Sequence, residues 1–167
     1  MQNESVICHQ ESLCFDAQGF FFAYHKQTKY QEVYHMSQER LAPIVKWVGG
    51  KRQLLDEIIP LLPEKFTTYC EPFLGGGAVF FAVQPANAVV NDLNADLIAV
   101  YETVRDDVES LIASLKQHEN TEAYFYQIRD LDRNPEQYQA MSKIEKASRL
   151  LYLNKTCFNG LFRVNKP

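Results

Sequence analysis

The stretch "EPFLGGGAVFF", Glu71–Phe81, places three consecutive glycines between two apolar runs. The run "TTYCEPF" before them predicts a strand, and "GAVFFAV" after them predicts a helix. A glycine turn between a strand and a helix surrounds one small space with backbone N–H groups and the N-terminus of the helix. Gly75, Gly76 and Gly77 therefore predict close approach of a ligand to the main chain at this turn.

Spacing excludes two other nucleotide sites that are built on glycines. A P-loop needs a glycine, four residues and then Gly-Lys-Ser/Thr, because the hydroxyl binds magnesium. The only Gly-Gly-Lys, Gly49–Lys51, is followed by Arg52, and Val45 stands where the first glycine is required. A dinucleotide-binding turn needs Gly-x-Gly-x-x-Gly, but Phe80 holds the place of the third glycine. Phe80 therefore favours a ligand without a pyrophosphate.

S-adenosylmethionine (SAM) is such a ligand, and it needs a carboxylate for its ribose hydroxyls as well as an open main chain. Asp92 ends a second predicted strand, "NAVVND", 17 residues after Gly75. This separation is close to the roughly 20 residues that are typical of the ribose-binding acid in dinucleotide folds. An aspartate alone is commonly a helix cap, but the preceding glycine turn favours ribose binding for Asp92.

The stretch "KWVGGK", Lys46–Lys51, adds two candidate contacts for the same cofactor. Lys51 stands at the start of a predicted helix, where its charge and the helix dipole suit the SAM carboxylate. Trp47 is the only tryptophan and offers a flat apolar face. Each residue also has a more common role, a solvated lysine and a core tryptophan, so neither is specific by itself.

Composition limits the class of protein. The chain has 167 residues, enough for one domain or one domain and part of another, and 46% of them are hydrophobic. No apolar run reaches the length of a membrane span and no signal sequence opens the chain, so we expect a cytoplasmic protein without a membrane partner. The four cysteines are scattered, and no His/Cys cluster has zinc spacing, so no metal site is predicted.

Charge is unevenly distributed. The net charge of −4 argues against a protein that coats nucleic acid by bulk charge. The basic C-terminal segment, Lys143–Pro167, nevertheless carries six basic residues against one acidic residue. A local basic surface is what contact with phosphates requires. On charge alone, a solvated helix face is the favoured interpretation.

Helical periodicity predicts helices around and after the two strands. One helix begins near Gly50 or Lys51. A long amphipathic helix follows its N-cap Asn94 and continues to His118. Thr121 caps a shorter helix, and a further helix begins near Pro135 and extends to about Leu153, with inward-facing positions at Met141, Ile144, Ala147 and Leu151.

Residues 1–35 differ from the remainder of the chain. They hold three of the four histidines and the run "FFFAYH", and neither helical nor strand periodicity is sustained there. One hypothesis is that the natural start is Met36, which mass spectrometry of the natively expressed protein would test. The alternative is a poorly ordered N-terminal arm.

Four stretches together are specific: "KWVGGKRQLL", "EPFLGGGAVFF", "VVNDLNADLI" and "LLYLNKTCFNGLFRVN". In this order and at these separations they resemble the Dam-type, D12-class adenine-specific DNA methyltransferases. The resemblance extends from about Ile44 to the last residue. It implies an α/β fold, a partial Rossmann-like SAM-dependent methyltransferase sheet with an inserted helical DNA-recognition region. The implied domains are an extension at 1–35, a SAM-binding half at 36–94 and an incomplete recognition region at 95–167.

The resemblance also implies roles for individual residues. Those expected to bind SAM are Trp47, Lys51 and Asp92, with Glu71–Gly77, including Gly75, as the main cofactor turn. Those expected to approach duplex DNA, in enzymes that usually read GATC, are Lys46, Phe158, Asn159, Leu161 and Arg163. Arginine is the favoured bidentate partner of guanine, and apolar wedges fill the gap left by an extruded base. A plain phosphate contact is the alternative for Arg163.

In this family an Asp-Pro-Pro-Tyr segment aligns the flipped adenine with the methyl donor. No Pro-Pro occurs in the 167 residues, so no catalytic residue is assigned. We therefore expect an N-terminal portion of a methyltransferase that is inactive alone and is truncated or completed by a second polypeptide. The alternatives are a non-catalytic SAM- or DNA-binding module or regulator, and a degraded gene product without a role.

Overall fold

The protein is represented by a computed structural model that describes residues 12–15, 21–24 and 41–160. Four strands form one sheet in the order β1-β2-β4-β3. The strands are β1 (Ser12–Phe15), β2 (Phe21–Tyr24), β3 (Tyr69–Glu71) and β4 (Asn87–Val90). β3 and β4 are parallel, whereas β2 is antiparallel to both β4 and β1.

The predicted strand–turn–helix–strand unit around the glycines is confirmed. β3 leads into the glycine turn, α2 (Ala78–Val83) leaves it, and β4 returns beside β3 with Tyr69 opposite Ala88. Parallel neighbours require such a crossover, because the chain leaves the first strand at its carboxyl end and must return to the opposite end of the sheet to begin the second. The glycine turn therefore follows the carboxyl end of one strand, and Asp92 follows the carboxyl end of the next.

β1 and β2 lie within residues 1–35, where the sequence sustains no strand periodicity. β2 falls within the aromatic run "FFFAYH", and aromatic residues favour strands. A continuous apolar run lacks the alternation that identifies a half-buried strand, so periodicity alone misses it. The alternative of a poorly ordered N-terminal arm stays a prediction, because the other residues of 1–35 lie outside the described residues.

The helix predicted to begin near Gly50 or Lys51 is present, but most of it is 3-10 helix instead of α-helix. Lys51–Leu54 and Ile59–Leu61 are 3-10 turns, and the α-helical part, α1, is limited to Leu55–Ile58. Pro60 stands in the second of these turns. Because proline has no backbone N–H, it cannot continue an α-helical hydrogen-bond ladder through this point.

The single helix predicted from Asn94 to His118 is wrong, because two helices occupy this stretch. α3 (Ala95–Asp106) and α4 (Val108–Leu115) are separated at Asp107, which has an extended φ of −155°. The Asp107 side chain accepts a hydrogen bond from the Ser110 N–H at 3.1 Å and so caps the second helix. The predicted N-cap is confirmed, because the Asn94 side chain accepts from the Leu97 N–H at 3.0 Å.

The predicted cap at Thr121 is also confirmed, at the start of α5 (Glu122–Arg129). The helix predicted from Pro135 to Leu153 is instead two helices, α6 (Pro135–Ala140) and α7 (Lys143–Thr156). They separate at Ser142, whose hydroxyl accepts from the Glu145 N–H while the Glu145 carboxylate accepts from the Ser142 N–H. This capping box stabilises a new helix start inside what looks like one amphipathic pattern.

α7 is central to the packing, because it contacts α3, α4 and α5. A main core joins the sheet, α2 and α3 to α7, and a smaller cluster around Ile128, Tyr152 and Leu153 fills the space between α5 and α7. Among the described residues, the largest fully buried side chains are Leu74, Val90, Leu97, Val100, Ser148 and Leu153. None of the helices in the described part of the chain is long and apolar enough to cross a membrane.

Candidate functional site

The glycine turn requires glycine at two positions for backbone reasons alone. Gly75 has a φ of +55° and Gly77 has a φ of +73°, in the left-handed region where a side chain costs about 1–2 kcal/mol. Gly77 is the N-cap of α2 and donates its N–H to the Leu74 carbonyl at 2.9 Å. The chain thus reverses sharply between β3 and α2.

Part of the space over this turn is filled by the protein itself. A Cβ at Gly75 would lie 3.3 Å from Cδ1 of Trp47, and a Cβ at Gly76 would lie 3.0 Å from the Val45 carbonyl oxygen. The glycines were expected to admit a ligand, yet their nearest neighbours include residues from an earlier part of the chain. The absence of side chains at these two glycines is therefore explained at least in part by the packing of Val45 and Trp47.

Asp92 faces the glycine turn. Its Oδ2 accepts a hydrogen bond from the Gly75 N–H at 2.8 Å, and its Oδ1 accepts from the Asn94 N–H at 2.9 Å. The alternative that Asp92 caps the following helix is wrong, because the side chain of Asn94 provides that cap. Each carboxylate oxygen retains a lone pair, since a carboxylate accepts about four hydrogen bonds in all.

A cavity of about 280 Å³ lies between the turn, Asp92 and the segment that precedes α1. Its volume is close to the lower limit of about 300 Å³ for sites that hold small molecules. Four of the residues predicted to bind the cofactor line it, whereas Glu71 and Gly77 do not. Its lining comprises Trp47, Val48, Gly49, Gly50, Lys51, Phe73, Leu74, Gly75, Gly76, Ala78 and Asp92.

Lys51 and Glu71 form a charged pair behind this cavity. The Lys51 ammonium lies 2.5 Å from Glu71 Oε1 and donates to the Phe73 carbonyl at 2.6 Å. The Lys51 side chain is therefore held by Glu71 and by the Phe73 carbonyl, and the alternative of a freely solvated lysine is wrong. Glu71 is buried, and the Lys51 ammonium beside Oε1 compensates its charge.

Two tyrosines that the sequence analysis did not assign to the site hold its polar groups. Tyr69 donates its hydroxyl to Glu71 Oε2 at 2.7 Å, and Tyr101 donates to the Gly75 carbonyl at 3.0 Å. Burial, followed by the contact with Glu71, raises the pKa of Tyr69 well above its ordinary value. Burial, followed by the charges of Glu71 and Asp92, raises the pKa of Tyr101 in the same direction. Both hydroxyls therefore stay protonated and donate.

The residues predicted to approach DNA come from distant parts of the sequence, and the structure brings three of them together. Lys46 is exposed, and its Cδ would lie only 2.9 Å from a Cβ at Gly160. Gly160 closes a 3-10 turn, Phe158–Gly160, in which Phe158 is 88% exposed and Asn159 has a φ of +57°. The other two, Leu161 and Arg163, lie outside the described residues.

A model of one protein family matches residues 47–167, a range that contains the cavity and the Phe158–Gly160 turn. That family is described as the D12 class N6 adenine-specific DNA methyltransferases. The chain belongs to this family. The resemblance drawn from the four sequence stretches is thereby confirmed. The SAM- and DNA-binding roles of individual residues stay predictions.

Individual methyltransferases match over the same part of the chain. A type II methyltransferase of Lactococcus lactis subsp. cremoris is 46% identical over 127 residues, which are 75% of this chain and 44% of the relative. A type II methyltransferase of Methanocaldococcus jannaschii is 35% identical over 142 residues, or 74% and 48%. A DNA adenine methylase of Haemophilus influenzae is 36% identical over 129 residues, or 74% and 43%. The chain thus spans less than half the length of each.

In this methyltransferase chain the basic C-terminal segment is less available than its composition indicates. Arg149 is 3% exposed, donates to a backbone carbonyl of α5 at 2.8 Å and pairs with Asp132 at 3.1 Å. Lys143 lies 2.6 Å from the Glu102 carboxylate. The interpretation favoured on charge alone, a solvated helix face, is therefore wrong for Arg149, whereas Lys143 is exposed but paired. Lys155, in the last turn of α7, is exposed.

Proposed function

We propose that this chain forms the SAM-binding and DNA-recognition half of an enzyme that methylates adenine N6 in duplex DNA. The observation that carries the proposal is the Asp92 carboxylate, turned toward the glycine turn in a cavity that Trp47 and Lys51 also line. Membership of the D12 class supports the same activity. The parallel β3–α2–β4 unit supports a partial Rossmann-like methyltransferase fold, since such folds bind ligands at the carboxyl ends of their strands.

The residues of the cavity fit the cofactor group by group. Asp92 keeps a lone pair on each oxygen for the two ribose hydroxyls while the Gly75 and Asn94 N–H groups hold it in place. Trp47 presents a half-buried aromatic face. Lys51 supplies a positive charge at the start of a helical segment, shared between Glu71 and the carboxylate of the ligand. Bound SAM supplies the electrophilic methyl group of its sulfonium.

The proposed DNA surface consists of Lys46, Phe158 and Asn159, extended by Leu161 and Arg163. An exposed phenylalanine beside lysines suits a duplex from which one base has been extruded, because the ring fills the resulting gap. Arg163 is the proposed reader of a guanine in a GATC-like site. The cofactor cavity and this surface adjoin, since Lys46 immediately precedes Trp47.

Methyl transfer in this proposal also requires the Asp-Pro-Pro-Tyr segment, supplied by a longer form of the chain or by a second polypeptide. Within the described residues β3 pairs with β4 alone, so one of its edges is left for a further strand. The chain spans less than half the length of each relative described above, and in this proposal the remaining length carries that segment.

Calorimetry with SAM tests the cofactor site. The wild-type chain is expected to bind, and Asp92→Ala is expected to weaken binding by about 10- to 100-fold, because hydrogen bonds to a charged group contribute roughly 1.5–3 kcal/mol. Glu64→Ala removes an exposed carboxylate away from the cavity and serves as the matched control. A folded wild-type chain without affinity for SAM would refute the proposal.

A non-catalytic SAM- or DNA-binding module or regulator is the second candidate function. It needs only the cavity that contains Asp92 and the exposed Phe158–Gly160 turn, both of which lie within the described residues. This candidate requires SAM or DNA binding by the chain alone and no methyl transfer in any mixture. Methyl transfer by a reconstituted mixture would exclude it.

A further inference from the structure

Asn154 is a buried polar residue that joins two parts of the chain 108 residues apart in sequence. It lies in the last turns of α7 and is 2% exposed. Its Oδ1 accepts from the Lys46 N–H at 3.1 Å, and its Nδ2 donates to the Lys46 carbonyl at 2.7 Å. The second proton of the same nitrogen is directed to the Gly160 carbonyl at 3.2 Å. Both donors of the amide are therefore used.

On one side, Asn154 fixes the backbone that crosses the glycine turn. Lys46 offers its N–H and its carbonyl to one amide, as it would to a neighbouring strand. Its chain neighbours are Val45, whose carbonyl excludes a side chain at Gly76, and Trp47, whose ring lies against Gly75. Any displacement of Lys46 therefore moves the wall of the cofactor cavity.

On the other side, Asn154 fixes the Phe158–Gly160 turn. Gly160 has a φ of +68°, which residues with a side chain rarely adopt, and a Cβ there would lie 2.9 Å from Lys46 Cδ and 3.3 Å from the Asn154 carbonyl oxygen. The exposed Phe158 and Asn159 are thus held at a set position relative to Lys46. The same amide contacts both the cavity wall and the turn that carries the proposed DNA contacts.

We propose that Asn154 is a positioning residue that couples the cofactor cavity to the Phe158–Gly160 turn, so that SAM and DNA strengthen each other's binding. This inference rests on the function proposed above. A ligand that orders Trp47 also orders Lys46, and through the amide of Asn154 it orders the turn. Such coupling is reciprocal by thermodynamic necessity, and typical values are about 5- to 150-fold.

The test is a thermodynamic cycle with two ligands on the full chain. Fluorescence anisotropy measures the Kd of a fluorescein-labelled 20-base-pair duplex containing GATC, with and without saturating SAM. For the wild type, SAM is expected to lower this Kd by about 5-fold or more. For Asn154→Ala the ratio of the two values is expected to fall to about 1, because the shared hydrogen bonds are lost.

Two further variants separate positioning from loss of stability. Thr156→Val removes a hydrogen bond of 2.8 Å to the Tyr152 carbonyl in the same helical turn, and it is expected to lower stability without changing the coupling. Gly160→Ala is strained by the φ of +68° and places a Cβ 3.3 Å from the Asn154 carbonyl oxygen, so the backbone of the turn is expected to shift while both Asn154–Lys46 hydrogen bonds remain. It is expected to remove the coupling while SAM affinity changes less than about 3-fold, even if Asn154→Ala does not fold.

The outcomes are distinct. If the wild-type chain binds SAM and DNA without coupling, or if both Asn154→Ala and Gly160→Ala keep the wild-type ratio, this inference is overturned and the proposed function stands. If the folded wild-type chain binds no SAM, the proposed function and this inference both fail. Loss of coupling in Thr156→Val as well would reduce Asn154 to a residue needed only for stability.

Discussion

Among the three glycines of the turn, Gly76 lies closest to a backbone atom of another segment. A Cβ there would lie 3.0 Å from the Val45 carbonyl oxygen and 3.6 Å from Cβ of Trp47. A carbonyl oxygen that belongs to the main chain cannot rotate away as a flexible side chain can. A larger residue at Gly76 is therefore expected to displace the segment that carries Trp47. Because Trp47 lines the cofactor cavity, the wall of that cavity moves with it.

We expect Gly76→Ala to destabilise the fold by about 1–3 kcal/mol, the usual cost of overpacking a closely packed site. It is also expected to weaken SAM binding, because Val45 and Trp47 must shift together. Urea unfolding and calorimetry measure the two effects. Gly49→Ala is the control for the effect on stability: no atom lies within 4 Å of the new Cβ, so its cost is limited to the strain of a φ of +73°, about 1–2 kcal/mol. Equal SAM affinity of Gly76→Ala and wild type would contradict this account.

At the scale of elements, His118 joins three helices. It follows α4, its Nδ1 lies 3.0 Å from the Tyr124 hydroxyl of α5, and its Nε2 lies 2.9 Å from the Ser148 hydroxyl of α7. Its ring stacks on Tyr152 with centroids 4.4 Å apart. Burial lowers the pKa of His118 below its ordinary value of 6.5, and a hydrogen bond with Ser148 opposes the shift. The neutral ring therefore holds α4, α5 and α7 together.

This lowered pKa predicts the direction of a pH effect on stability. At pH values between the pKa of His118 in the folded protein and 6.5, the unfolded chain binds more protons at His118 than the folded chain does. The stabilisation from the neutral ring is therefore fully present above pH 6.5 and is lost as the pH falls through this range. We expect His118→Gln to lower the free energy of unfolding by about 1 kcal/mol at pH 7.5, the net contribution of a typical hydrogen bond. The difference from wild type is expected to shrink at pH 5. Urea unfolding at both pH values measures it, and a difference independent of pH would contradict the prediction.

At the scale of the whole molecule, the two parallel strands of the sheet differ in their pairing within the described ranges. β2 lies against one edge of β4, whereas β3 has no second neighbour within the described ranges. The cavity next to β3 is also small, about 280 Å³, for a ligand that carries an adenosine and an amino acid. We therefore expect the remaining part of the proposed site to lie on the β3 side of the sheet, beside the glycine turn.

We expect the isolated chain to transfer no methyl group from tritiated SAM to adenine in duplex DNA. Activity is expected to appear when a chain with the remaining half of the Lactococcus lactis relative is added, because the proposal assigns the Asp-Pro-Pro-Tyr segment to that half. The same mixture with Asp92→Ala is the control and is expected to lose most of this activity. Turnover by the isolated chain would contradict the prediction of inactivity. No turnover in a well-folded mixture would contradict completion by a second chain.

Local chemistry was sufficient to predict the glycine turn between a strand and a helix, the second strand with its terminal Asp92, and the caps Asn94 and Thr121. Each of these depends on residues within a few positions of each other, so spacing alone identifies them. The four stretches that identify the family are local in the same way. The breaks at Asp107 and Ser142 escaped prediction, because a polar residue on an amphipathic pattern is equally compatible with the exposed face of one continuous helix.

Tertiary structure alone decided the remaining features. Val45 and Trp47 fill the space over the glycines, Arg149 is buried against Asp132, and Asn154 binds the backbone of a residue 108 positions earlier. These contacts join segments whose separation in the sequence carries no periodic signal. They depend on how α7 packs beside the sheet, and that packing is set by the fit of many side chains at once.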